Sequence, residues 1–206
     1  MLISPNYSSF MSKYQSKEEI IRFLYIPAMI DSFNRVKQIP KISSQKENDI
    51  RNIFIKDIEY DNELLKDLID NNIIKLTSEG QIIGENLEIN RTDIELFISG
   101  VCNFVIECKN LRSADKRYLD EGIKRFIDEI YAKNDNYAGM MGFVVSGTFT
   151  TTTTKLPNKI ENFCPITPKH SINLTLSIDG DYAEFLSKHK CKTTKEISIF
   201  HLLLKF

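Results

Sequence analysis

VCNFVIECKNL, residues 101–111, is an apolar run that carries two opposite charges, Glu107 and Lys109. Its Val, Ile and Phe content predicts a strand. Residues two apart in a strand project to the same side, so Glu107 and Lys109 share one face while Ile106 and Cys108 take the other. A charged pair beside Phe104, Val105 and Ile106 needs a reason, because a charge buried without a partner is costly. Ser99-Gly100 marks a turn just upstream. Before it, INRTDIELFI (89–98) alternates polar and apolar residues, with Asp93 and Glu95 on one face. The two segments are expected to pair as a hairpin, which brings Asp93 towards Glu107 and gathers two carboxylates and one ammonium in a small pocket.

Two carboxylates so close repel and raise a pKa. A divalent cation resolves the conflict, and oxygen-only ligands suit Mg²⁺, with Mn²⁺ as a substitute. Such a cation can bind a phosphate oxygen and lower the pKa of a coordinated water. Lys109 can orient or help deprotonate that water and stabilise charge on the phosphoryl oxygens. These parts suffice for phosphodiester hydrolysis. The competing reading is a solvated hairpin face on which Asp93, Glu95, Glu107 and Lys109 form cross-strand ion pairs.

Upstream, KEEIIRFLYIPAMIDSFNRVK (17–37) reads as an amphipathic helix that Pro27 is expected to kink or divide. Residues 38–44 form a boundary, and Ser44 is the expected N-cap of a second helix with Glu47 at capping-box distance. A third helix is expected over NELLKDLIDNN (62–72), followed by strands at IIKLT (73–77) and QII before Gly84. Downstream, a helix is expected from about Lys116 to Lys133, with Leu119, Ile123, Phe126, Ile127 and Ile130 as its buried stripe. A buried strand over 138–146 follows, in which Gly139 and Gly142 allow close packing. The threonine run 150–154 reads as a loop or an edge-strand excursion. SINLTLSI (171–178) and ISIFHLLLKF (197–206) read as strands around a short helix at 182–188. The order is that of an α/β layered fold with a mixed sheet.

Asp93, a turn, then Glu107-x-Lys109 in an apolar strand, followed by a helix and a buried strand, resembles the PD-(D/E)XK, restriction-endonuclease-like nuclease superfamily. The likeness spans residues 45–146, about half of the 206-residue chain. Thr92 stands where the family signature has proline, and the expected helix at 62–72 is an addition between Glu47 and the first strand. The resemblance implies that Asp93 and Glu107 bind Mg²⁺ together with the backbone carbonyl of Cys108, and that Glu47 of the first core helix completes the set. It also implies a basic residue of the helix after the motif near the scissile phosphate: Arg125 first, Lys124 second. The bland alternative for Arg125 is a surface pair with Glu121 or Glu129. Arg112, Lys116 and Arg117 are candidates for contacts to backbone phosphates. The domains implied are an N-terminal helical extension (1–43) and a nuclease-like domain (44–206), with its core at 45–146 and an αβ elaboration at 155–206.

Composition is compatible with this. Net charge is −1, which excludes a broad basic coat, yet residues 1–108 carry 12 Lys and Arg against 17 Asp and Glu while residues 109–206 carry 15 against 11. Cys102, Cys108, Cys164 and Cys191 lack zinc-site spacing, and His170, His189 and His201 form no metal motif. No apolar run approaches the roughly 18–20 residues of a membrane helix, and no secretory pattern opens the chain, so a cytoplasmic protein without a membrane partner is expected. There is no GxxxxGK[ST] loop. The leading function is a DNA endonuclease of restriction or another defence against foreign DNA. A retired nuclease fold serving as a nucleic-acid-binding or assembly subunit is the alternative, and a metal-dependent phosphatase or RNase is a third. A homodimer, or a subunit of a larger defence complex, is expected because one such site cuts one strand. Apolar residues 23–26 with Met29, and the terminal HLLLKF, are the candidate contact segments.

Overall fold

The computed structural model describes residues 9–83, 89–114, 116–163, 172–176 and 180–206. Gly84, Cys164 and His170 lie outside the described residues. The helices are α1 (residues 17–36), α2 (Glu47–Tyr60), α3 (Lys66–Asp70), α4 (residues 116–127) and α5 (Phe149–Asn162). The strands are β1 (Lys75–Ser78), β2 (Gln81–Ile83), β3 (Ile89–Arg91), β4 (Ile94–Ile98), β5 (Cys102–Leu111), β6 (Tyr137–Val144), β7 (Ile172–Leu176), β8 (Tyr182–Lys190) and β9 (Glu196–Lys205). Seven strands form one mixed sheet in the order β1-β4-β5-β6-β9-β8-β7, and β2 pairs with β3 separately. β5, β6 and β9 run parallel at its centre, and the flanking pairs are antiparallel.

Alternation along β5 divides the core. Phe104, Ile106 and Cys108 join Phe33 of α1 and Ile50 and Phe54 of α2 on one face of the sheet. Val105 and Leu111 join Tyr118, Ile123 and Phe126 of α4 and Leu156 and Ile160 of α5 on the other. Glu107 and Lys109 therefore point to the α4 side. The protein is an α/β molecule whose mixed sheet has helices on both faces.

Several expectations are corrected. α1 continues past Pro27, but its α-helical ladder is interrupted by a π-turn at Ile21–Tyr25, one turn upstream, where the proline ring crowds the i−4 carbonyl. Ser44 is not the N-cap of α2: its hydroxyl donates to the Lys41 carbonyl in a 3₁₀ turn, and Lys46 precedes the helix without a side-chain cap. Glu47 thus occupies the first helical position and makes no capping box. The helix expected at 62–72 shrinks to α3, because buried Asn62 spends its amide on the Ala28 carbonyl and Ser32 and its oxygen on the Leu64 and Leu65 N–H groups. The run 89–98 breaks at Thr92, whose N–H donates to the Gly80 carbonyl, so that β3 pairs with β2 and β4 with β1 and β5. The threonine run lies in α5, where Thr153 and Thr154 hydroxyls donate back to the Thr150 carbonyl. Residues 182–190 are a strand, with Ala183, Phe185, Ser187 and His189 buried in alternation.

The segments considered for assembly are largely internal. Leu24, Tyr25, Ile26 and Met29 are buried in the core, leaving Phe23 exposed, and β9 lies between β6 and β8 and has no free edge. Cys102, Cys108 and Cys191 are buried free thiols. His189 and His201 belong to a buried polar chain: Ser187 Oγ lies 2.6 Å from His189 Nε2 and 2.7 Å from His201 Nε2, and Tyr118 hydroxyl lies 2.9 Å from His201 Nδ1. Among the described residues no helix is long and apolar enough to cross a membrane.

α4 stops at Ile127 rather than Lys133. Glu129 takes a left-handed φ of 58°, the Ile130 N–H donates to the Arg125 carbonyl and the Glu129 N–H to the Phe126 carbonyl, a Schellman stop made without glycine. The chain then folds back and sets Tyr131 against Arg125. Close packing behind β5 depends on Gly142, where a methyl group would stand 2.6 Å from Leu111 Cδ1 and 2.7 Å from Leu203 Cδ2. Gly142→Ala is accordingly expected to lower the unfolding free energy by about 1–3 kcal/mol in urea denaturation, and an unchanged midpoint would show that both leucines yield without strain.

Candidate active site

β4 and β5 pair from Ile94 opposite Ile106 to Ile98 opposite Cys102, so residues 107–111 of β5 extend past the start of β4. On their other side they remain paired with β6. The outer N–H groups of this overhang need acceptors, since an unpaired buried amide is costly. Two carboxylates supply them. The Cys108 N–H donates to Asp93 Oδ2 at 2.8 Å, and the Asn110 N–H donates to Glu47 Oε2 at 2.7 Å. Asp93 stands just before β4, opposite Glu107 in the continued register. Glu47 reaches the strand because it begins α2 with its side chain uncommitted to a cap.

Glu107 and Lys109 lie within this frame, only 1% and 7% exposed. Lys109 Nζ is 2.6 Å from Glu107 Oε1, 3.0 Å from the Cys108 carbonyl and 3.5 Å from Glu47 Oε1. Arg125 Nη1 donates to the same Glu107 Oε1 at 3.0 Å and to the Tyr131 hydroxyl at 2.7 Å. Tyr131 in turn donates to the Arg91 carbonyl at 2.6 Å. Burial and Glu107 push its phenol up to about 12, so it stays a donor. Glu107 Oε2 is buried with no hydrogen-bond partner.

Burial, then the facing Asp93, push the Glu107 carboxyl up to about 7, against the opposing pull of Lys109 and Arg125. Burial alone would lower the Lys109 ammonium, but Glu107, Glu47 and Asp93 outweigh it, and its pKa rises. Lys109 therefore keeps its charge at neutral pH, while Glu107 holds its proton more tightly than a free carboxyl does.

The structure brings together Asp93, Glu107, Lys109, Glu47 and Arg125. It does not bring the other expected basic residues, Lys124, Arg112, Lys116 and Arg117, to them. Lys124 and Lys116 pair along α4 with Asp128 and Asp120, and Arg112 and Arg117 are exposed. Glu95 leaves the cluster and accepts from the Thr77 hydroxyl. Arg125 pairs with neither Glu121 nor Glu129, because the π-turn at Tyr118–Ile123 rotates the end of α4 and the Tyr131 loop holds the guanidinium over Glu107. The same turn buries Tyr118 and Gly122, which an uninterrupted helix would set on a flank.

Two further residues, Arg51 and Tyr131, belong to the site and are not among those the sequence points to. Arg51 is 4% exposed, with Nη1 2.6 Å from Asp93 Oδ1 and Nη2 2.9 Å from Glu79 Oε1. Its signal was available, since it follows Glu47 by one helical turn and shares its face. Tyr131 carried none, as its position follows from a left-handed glutamate.

As folded, each carboxylate of the cluster faces a cation, and among the described residues no three His, Cys, Asp or Glu side chains form a ready metal cage. The donor chemistry nonetheless fits a hard divalent cation: Asp93, Glu107 and the Cys108 carbonyl offer oxygen only, and Glu107 Oε2 is buried, unpartnered and beside a second carboxylate.

The raised Glu107 pKa has a consequence for stability. The folded chain holds this proton more tightly than the unfolded one, so the stability it lends is complete below about pH 4.5 and lost as pH rises through about 7. Without metal, Glu107→Gln should therefore gain thermal stability relative to the parent between pH 4.5 and 8, on the order of 3 kcal/mol; a difference independent of pH would contradict the burial of an ionising Glu107. Comparison of the chain with protein-family models, with curated proteins and with solved structures finds no match.

Proposed function

We propose that this chain is a metal-dependent nuclease of the restriction-endonuclease-like kind that hydrolyses phosphodiester bonds, with DNA as its substrate. The observation that carries the reading is the buried, unpartnered Oε2 of Glu107 beside Asp93, with a buried ammonium on the other Glu107 oxygen. The order α2, β1, β4, β5, α4, β6 around it matches the helix, three strands, helix and strand expected of the superfamily core, with α3 before β1 and the β2–β3 pair between β1 and β4.

Asp93, Glu107 and the Cys108 carbonyl would hold the cation, with Glu47 alongside. Bound there, a divalent cation supplies Lewis-acid polarisation of the phosphate and a lowered pKa for water. Lys109, kept protonated by its carboxylate neighbours, orients the attacking water and stabilises charge on the phosphoryl oxygens. Arg125, about one-third exposed and backed by Tyr131, is placed to exchange Glu107 for a substrate phosphate.

A second reading, a retired nuclease fold acting as a nucleic-acid-binding or assembly subunit, draws on the pairing of Asp93 with Arg51 and of Glu107 with Lys109 and Arg125. Incubation with supercoiled plasmid and with single-stranded DNA separates the two. The enzyme reading expects cleavage with Mg²⁺ or Mn²⁺, none in EDTA, and a loss of roughly 100-fold or more in Lys109→Ala. Cleavage that survives EDTA or the Lys109 substitution would refute it, and metal-independent binding without cleavage would favour the second reading.

A further inference from the structure

We propose that Arg51 is the resident counter-ion of Asp93, a positioning residue that a divalent cation displaces and that Glu79 then retains. This rests on the metal-dependent reading above. The two oxygens of Asp93 have different partners. Oδ2 is fixed by the backbone N–H of Cys108, which cannot leave without disturbing β5. Oδ1 is held by Arg51 Nη1, a side chain that can move. A cation approaching Oδ1 meets the positive guanidinium 2.6 Å from that oxygen, and like-charge repulsion favours its withdrawal.

Arg51 is built for that exchange. Its fork spans two carboxylates of unlike setting: Asp93, whose side chain is 14% exposed, and Glu79, 47% exposed on the turn after β1. Asn52 Oδ1 also accepts from Nε at 3.3 Å and from Nη2 at 3.1 Å. When Nη1 leaves Asp93, Glu79 and Asn52 still hold the guanidinium, so no buried charge is stranded. A lysine could not do the same, because a single ammonium lacks the planar fork. Before metal arrives, Arg51 neutralises one of the two facing carboxylates. The unpartnered Glu107 Oε2 beside Asp93 marks where the incoming cation finds its second donor.

The test is calorimetric titration of Mn²⁺ into the full chain, with melting curves with and without Mn²⁺, for the parent, Arg51→Met and Glu79→Gln. Arg51→Met is expected to bind Mn²⁺ roughly tenfold tighter than the parent, the scale of one ion pair no longer broken. It should melt lower than the parent without metal and recover with it. Glu79→Gln, which removes the acceptor that retains the displaced guanidinium, is expected to bind Mn²⁺ more weakly. If Arg51→Met does not fold, Glu79→Gln carries the test alone, and affinity equal to or above the parent overturns the proposal. Equal Mn²⁺ affinity in the parent and a folded Arg51→Met overturns the displacement while leaving the metal reading intact. No binding by any of the three proteins overturns both.

Discussion

Past Ile106, β5 runs on beside β6 with β4 absent from its other side, and its outward amides must find acceptors away from the sheet. Asp93 and Glu47 provide them, from opposite directions in sequence. This backbone requirement fixes two carboxylates at the open flank of the strand that carries Glu107 and Lys109. It also explains why β3 and β4 are separate strands. Had residues 89–98 continued as one strand, β4 would have covered Cys108 and Asn110, and Asp93 would have been spent in a ladder.

Charge is buried elsewhere too, at Asp57 beside Arg35 and at Asp135 beside Lys17, but around β5 several carboxylates and cations crowd together. The Ser187–His201–Tyr118 chain is equally buried, yet burial and His189 hold the His201 imidazole well below its usual pKa and neutral, and its ring nitrogens are hydrogen-bonded on both sides. It joins β8, β9 and α4 as a polar core element built from hydroxyl and imidazole groups. Around Glu107 the accounting does not close: two cations share one oxygen, the other oxygen has none, and a second carboxylate pushes the pKa up. Purely structural ion pairs in a protein interior favour full satisfaction. An acid raised by burial and by a facing carboxylate, in a frame of fixed donors, is the observation on which the proposed cation site rests.

Much of this was legible from local pattern. Alternation in IECK fixed the shared face of Glu107 and Lys109, and Ser99-Gly100 fixed the hairpin and hence its register. The stripe of Leu119, Ile123, Phe126 and Ile127 gave α4. What escaped depends on tertiary context. Threonine has low helix propensity, but the Thr150–Thr154 run turns helical once Phe149, Leu156 and Ile160 have a sheet to pack on. The strand β8 hides its period behind Ser187 and His189, polar residues that are buried because they bond one another. Arg51 lies one turn after Glu47 on the same face, but Asp93 and Glu79, which hold it, converge there only in the fold. Glu47 was placed near the site by likeness, but the physical reason, an uncapped helix start beside a bare strand flank, is visible only in three dimensions.

The central claim is that Asp93, Glu107 and the Cys108 carbonyl form one cation site at the open flank of β5. The most direct measurement is anomalous diffraction at the manganese edge from crystals of the full chain grown with Mn²⁺. The account predicts one strong peak within about 2.0–2.3 Å of oxygens from all three residues. Absence of that peak at full Mn²⁺ load, with Arg51 still on Asp93 and Lys109 still on Glu107, would contradict it.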